Sequence, residues 1–143
     1  MAKRKKSTVA QEVEKAAKLL QRLVRLKASD DNGYCTCVTC GKVDHYKAMQ
    51  GGHFIPRGRT VFKLFEENIH PQCPSCNLWG MKQAHYVLRY RQYMADTYGE
   101  RRVKAMERLA WRASPKFNRE EVIQFARNLS EKTKEELWRI GEL

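Results

Sequence analysis

Residues 65–77, FEENIHPQCPSCN, end in a Cys-x-x-Cys pair followed at once by an asparagine, and the rest of the chain is best read outward from them. Cys73 and Cys76 have an upstream counterpart in Cys37 and Cys40, with the 32 residues 41–72 between the two pairs. Two such pairs present four thiolates tetrahedrally to one zinc ion, each pair gripping it from a tight turn. Gly41 and Pro74 are residues suited to those turns. Compact zinc ribbons space their pairs by about 15–20 residues, so the longer gap predicts a further substructure between the knuckles. Cys35 lacks knuckle spacing and reads as a spare thiol. The alternatives for these thiols are a redox pair, disfavoured because there are two of them, and buried apolar cysteines.

At 143 residues the chain has length for one domain. Its opening is basic with no apolar run behind it, which is not a secretory signal, and no apolar run approaches a membrane span. A soluble, cytoplasmic protein with reduced thiols is expected. The net charge of +12 favours an anionic polymer as partner, nucleic acid first. Residues 1–27 carry nine basic and two acidic side chains, residues 28–77 carry five of each, and the rest of the surplus follows residue 77. Basic flanks that grip phosphates thus surround a neutral centre holding every cysteine.

Thr8 and Gln11 form a capping box ahead of an amphipathic helix with Val9, Val13, Ala16, Ala17, Leu20, Leu23 and Val24 on its apolar face. Ser29 to Gly33 close it as a loop. Gly51 and Gly52, then Pro56 to Arg59, break the chain between the knuckles, while 53–55 and 61–65 have strand-like content and predict a hairpin. Helices are expected over 84–98, closed by Gly99, and around Val103 to Ala110, stopping at Ser114 and Pro115. Asn118 with Glu121 caps a last helix towards Ile140. Tyr86, Tyr90 and Tyr93 have the spacing of a helix core face. The expected class is α+β and mainly helical: a basic arm and helix over 1–30, a zinc-stabilised core over 31–98, and a helical region over 99–143, in one compact unit.

Three segments together resemble a known family. Cys37 to Gly41 reads CVTCG, Gly52 to Phe54 reads GHF, and residues 65–77 complete a pattern similar to that of the lambdoid phage recombination protein family Rap, or NinG. The same residues resemble the His-Me finger (HNH-like) nucleases, with a histidine ending one strand, an asparagine in the next loop and an asparagine opening the following helix. The resemblance implies a ββα-metal core and a metal-dependent endodeoxyribonuclease, resolvase-like, that nicks Holliday junctions and displacement loops in a bacterial host cell. It implies His53 as general base, Asn68 orienting its imidazole, and Asn77 offering an oxygen to a catalytic Mg²⁺ or Mn²⁺. A neutral imidazole takes a proton from water near pH 7, and a hard cation offsets charge on the leaving oxygen.

Many His-Me nucleases place an aspartate directly before that histidine, where this chain has Gly52. His70 is the first candidate for the missing ligand, followed by Asp44, Glu66 and Glu67. Arg57 and Arg59 are expected to hold the scissile phosphate, and Lys3, Arg4, Lys5 and Lys6 to reach the backbone of branched DNA. His45 and His85 read as structural. Symmetric nicking and apolar stripes on residues 100–140 predict a homodimer through the C-terminal helices, with other phage recombination proteins as further partners. The competing classes are a non-catalytic zinc-stabilised DNA-binding protein and an HNH nuclease specific for a sequence in linear duplex.

Overall fold

Helix α1 (Val9–Lys27) starts where the sequence says it should, with Thr8 Oγ1 accepting from Gln11 N–H and the Gln11 side chain accepting from Thr8 N–H. The computed structural model describes residues 2–58, 60–112 and 116–143, and only the backbone at 60 and 61. α1 buries Val13, Ala16, Ala17, Leu20, Leu23 and Val24. Its partner is the last helix, α4 (Arg119–Arg139), capped by Asn118 Oδ1, which accepts from Glu121 N–H. Val13 and Ala16 meet Val122 and Ala126, and further along Leu20, Leu23 and Val24 meet Leu129 and Ile69. Truncating a buried leucine of this kind costs about 2–5 kcal/mol, so this seam joins the two ends of the chain firmly.

Two antiparallel hairpins lie against that helical pair. β1 (Tyr34–Thr36) pairs with β2 (Val43–His45) around the first cysteine turn. β3 (Gln50–His53) pairs with β4 (Ile69–Gln72) in the register Gln50 to Gln72, Gly52 to His70 and His53 to Ile69. The second cysteine pair follows β4 directly.

This corrects the expected hairpin. Residues Thr60–Leu64 form a 3₁₀ helix, not a strand, and the partner of β3 is β4. Phe62 and Phe65 lie three apart and meet edge-on at 5.8 Å, a period-three arrangement that the β-rich composition conceals. Gly51 and Gly52 are not chain breaks but lie inside β3. A Cβ on Gly51 would come within 2.7 Å of Gln21 on α1, and one on Gly52 within 1.7 Å of Gln72 Oε1. Glycine in this strand marks close approach on both faces.

After β4 come a wide π-type turn (Ser75–Trp79), then α2 (Ala84–Tyr98) and α3 (Glu100–Leu109). Gly99, at φ +90°, reverses the chain between these helices. Tyr90 and Met94 of α2 pack with Val103 and Met106 of α3 and with Phe54, Ile55 and Phe62. Much of the apolar face of 100–140 is covered within the chain, α3 on α2 and α4 on α1, while Leu109, Trp111 and Trp138 stay exposed. The expected helix stop at Ser114 and Pro115 lies outside the described residues. Among the described residues no helix is long and apolar enough to cross a membrane.

Candidate functional site

The turn between β1 and β2 carries Cys37 and Cys40, closed by Gly41 N–H donating to Cys37 O (3.0 Å) with Gly41 at φ +81°. The second pair begins at the end of β4, where Asn77 N–H donates to Cys73 O (3.0 Å), and Val38 N–H donates to Pro71 O (3.0 Å) to hold the two turns together. The four Sγ atoms lie within 4.8 Å of one another, and Cys40 Sγ is 3.7 Å from Cys73 Sγ. Tetrahedral Zn–S bonds of about 2.3 Å place sulfurs about 3.8 Å apart, so the spacing fits a zinc ion. It does not fit disulfides, and the cysteines are free thiols.

Burial and the neighbouring thiols push Cys76 far up, and burial pushes Cys40 up. Burial also opposes ionisation of Cys37, but backbone hydrogen bonds from Cys40, Cys73 and Thr39 outweigh it and bring that thiol down. Four thiols so close cannot all ionise without a cation among them, and a zinc ion held there would supply that charge. Cys35, the spare, packs with Leu26, Tyr46 and Met49 behind the cluster.

Beside the cysteines an open cleft of about 450 Å³ is lined by Gln21, His53, Arg57, Asn77, Leu78 and Lys82 among others. His53 stands at the end of β3 and Asn77 on the turn after Cys76, so the hairpin and the knuckle bring them to one cleft. Burial, chiefly, lowers the His53 pKa to about 4, with Arg57 and Lys63 acting in the same direction. The ring is neutral at pH 7. Its Nε2 faces Lys63 O at 3.4 Å; a carbonyl only accepts, so Nε2 carries the proton and Nδ1 keeps the lone pair. Asn77 Nδ2 donates to Gln50 Oε1 (2.7 Å), a bond in which Asn77 Oδ1 takes no part.

Asn68 is fully buried, at 0% exposure, and holds backbone. Its Oδ1 accepts from Ile55 N–H (2.8 Å), and its Nδ2 donates to Ile55 O (3.0 Å) and Phe62 O (3.2 Å). Both amide protons are committed to carbonyls, so that among the described residues Asn68 bears on the expected orienting of His53 through the 54–65 loop that it closes.

His70 does not reach the cleft. It sits opposite Gly52, while His53 sits opposite Ile69, and successive residues of a strand point to opposite faces. Tyr90 Oη donates to Gly52 O (2.7 Å) and so accepts from His70 Nδ1–H at 3.1 Å, leaving Tyr98 Oη to donate to Nε2 at 2.7 Å. Neither nitrogen keeps a lone pair for a metal. Burial lowers this pKa also to about 4. The expectation of His70 as a ligand is corrected accordingly.

The reserve candidates are elsewhere too. Glu66 pairs with Lys27 (2.6 Å), Glu67 with Arg102, and Asp44 caps His45 N–H (2.8 Å) on β2. Among the described residues no carboxylate lines the cleft, and Arg57 and Lys82 do. One amide oxygen among cations does not fit a resident Mg²⁺, which needs carboxylate or phosphate oxygens.

Arg57 donates to Glu14 Oε1 at 2.7 Å, and Lys63 meets the other carboxylate oxygen at 2.9 Å. Those hydrogen bonds, Lys63 first, lower the Glu14 pKa to about 2. Arg59 lies outside the described residues. Lys3 to Lys6 are exposed and without regular structure, ahead of Ser7, whose carbonyl accepts from Arg119 Nε (2.9 Å). His45 stacks edge-on with Tyr34 and lies 3.5 Å from Glu142; His85 packs on the Tyr86 ring. Sequence reasoning missed Glu14, Gln50 and Gln72. Only the period-two alternation of β3 and β4, legible once their pairing is known, separates His70 from His53.

Two short hairpins, a helical cover and a cluster of four thiols that could hold a zinc ion define an α+β, mainly helical protein. The family described as bacteriophage lambda NinG protein matches residues 1–137, and the chain belongs to it. No curated protein and no solved structure matches the chain.

Proposed function

We propose that this chain is a structure-specific endonuclease that nicks branched recombination intermediates, Holliday junctions and displacement loops, in the cytoplasm of a phage-infected cell. The observation that carries the reading is the meeting of His53 and Asn77 in one open, cationic cleft beside the four-cysteine cluster.

In this reading the zinc-bound cysteines are structural and fix the turn that carries Asn77. His53 Nδ1 takes the proton of the attacking water, with Nε2–H steadied by the Lys63 carbonyl. Arg57 and Lys82 hold the phosphates on either side of the scissile bond, and the Lys3 to Lys6 arm grips the backbone further off. Asn68 keeps the 54–65 loop closed beneath the imidazole. A divalent ion, Mg²⁺ or Mn²⁺, would have to be held by Asn77 Oδ1 together with phosphate oxygens of the bound DNA, and would supply neutralisation of charge at the leaving oxygen. Resolving a junction takes two opposed nicks, so two copies act on one junction, alongside other phage recombination proteins.

The test is nicking of an end-labelled four-way junction beside a linear duplex of the same sequence, with Mg²⁺ or Mn²⁺. Junction-selective nicks support the reading. Cutting of the linear duplex at one sequence points to an HNH nuclease of a different kind. A second reading, a zinc-stabilised DNA-binding protein without catalysis, is favoured by the lack of a carboxylate in the described lining of the cleft. It predicts junction binding with no cleavage under either metal.

A further inference from the structure

Trp79 is 69% exposed, and its neighbour Leu78 is 54% exposed. Both stand on the turn Ser75–Trp79 that contains Cys76, two residues or fewer beyond Asn77. The turn is well held: Gly80 N–H donates to Cys76 O and Ser75 O, and Gly80 packs so closely on Tyr86 that a Cβ there would come within 2.9 Å of its ring. Leu78 and Lys82 line the His53 cleft, and Lys82 Nζ lies 5.7 Å from the centre of the Trp79 ring. An indole that folding leaves in water, on a rigid support, beside a lysine, has the makings of a contact surface.

The charges around it select the partner. The cleft lining presents Lys82 and Arg57, the latter paired with Glu14, and among the described residues no carboxylate, on a chain of net charge +12. A ligand that offers a flat aromatic face next to phosphate matches an exposed indole beside cations. Intact duplex keeps its base faces inside the stack, whereas a single strand, or a branch point whose arms have unstacked, exposes them.

We propose that Trp79, edged by Leu78, is a stacking subsite for an unpaired DNA base, and that it is this subsite that distinguishes branched from continuous DNA at the His53 cleft. The assignment rests on the nucleic-acid reading above and adds the element that reads the branch. Phosphates bound by Arg57 and Lys82 bring the strand to the cleft, and the indole takes the base that has left its partner.

The chain has three tryptophans, so Trp111→Phe with Trp138→Phe leaves Trp79 as the single indole reporter. Full-length protein of this kind is titrated with a four-way junction, oligothymidylate and a blunt linear duplex, following Trp79 fluorescence and, separately, anisotropy of a label on the DNA. Saturable quenching by the junction and oligothymidylate, with little change on duplex binding, is expected. Trp79→Leu in the wild-type background should weaken junction and single-strand binding about tenfold or more and leave duplex binding within about twofold. Trp79→Phe should restore part of the loss, which a merely structural defect would not allow. Junction and duplex binding with Trp79 unquenched, or an unchanged junction preference in Trp79→Leu, overturns this assignment and leaves the nuclease reading standing. Quenching that follows protein concentration without DNA shows the face to be a self-contact and overturns it likewise. A wild-type chain that binds none of the three DNAs overturns both.

Discussion

Replacing Asn68 with alanine removes an amide that closes the 54–65 loop from within. Two backbone groups, Ile55 N–H and Ile55 O, now bonded at 2.8 and 3.0 Å, then lose their partners in a buried setting, and Phe62 O loses its 3.2 Å bond and keeps only the longer one from Phe65 N–H (3.5 Å). An unsatisfied buried group costs about 1–3 kcal/mol, and allowing for partial relaxation the loss is about 3–6 kcal/mol. For a chain of this size that lowers the melting temperature by roughly 10–20 °C. Urea unfolding and thermal melts at fixed zinc concentration measure it, since bound metal shifts both. The Asn68→Ala variant is expected to lose the protection of the Ile55 amide in hydrogen exchange while the α1–α4 seam keeps its own. A loss under about 1 kcal/mol, or a variant that melts like the wild type yet no longer nicks DNA, would refute the loop-closing role and return Asn68 to orienting the imidazole.

Other perturbations give separate checks. His53 and His70 are neutral when folded and titrate near 6.5 when unfolded, so the unfolded chain binds more protons as pH falls from 6.5 towards about 4. Stability should therefore be full above pH 6.5 and fall through that window by about 3 kcal/mol for each histidine, and His70→Phe should flatten the urea-midpoint profile; a flat wild-type profile would contradict the burial argument. Gly52→Ala drives a Cβ into Gln72 Oε1 and should cost about 1–3 kcal/mol, a cost that shrinks in a Gln72→Ala background if the contact is its cause. Glu14→Gln releases Arg57 and Lys63 from their shared carboxylate and should tighten DNA binding about fivefold at moderate salt, with a steeper salt dependence; unchanged binding would remove both cations from the interface. Chelating zinc from purified protein should release one ion per chain and abolish cooperative melting, and a chelated protein that still melts cooperatively would deny the cysteines a structural metal.

Much of the fold was legible because its signals are local. The Thr8 and Asn118 caps, the Gly99 reversal and the two Cys-x-x-Cys turns each depend on residues within four positions of one another. The β3–β4 pairing was not legible, because β3 is half glycine and its strand character comes from what approaches it: Gln21 on one side and Gln72 on the other. The strand-like composition at 61–65 drew attention to the wrong partner. For the candidate site, the sequence pattern singled out His53, Asn68, Asn77 and the four cysteines. It left open which polar atom each side chain faces, and that choice made Asn68 a loop clamp and His70 part of a tyrosine cluster. Gly52, a departure from the His-Me pattern, has a local cause: Gln72 Oε1 fills the space a side chain would need, and among the described residues that buried oxygen has no hydrogen-bond partner.

The most direct test compares the wild type with His53→Ala and Asn77→Ala on one labelled four-way junction, measuring binding and nicking in the same Mg²⁺ or Mn²⁺ buffer. The account predicts that all three bind within about threefold of one another while both variants lose nicking by about a hundredfold or more. Nicking that survives in His53→Ala would contradict the account.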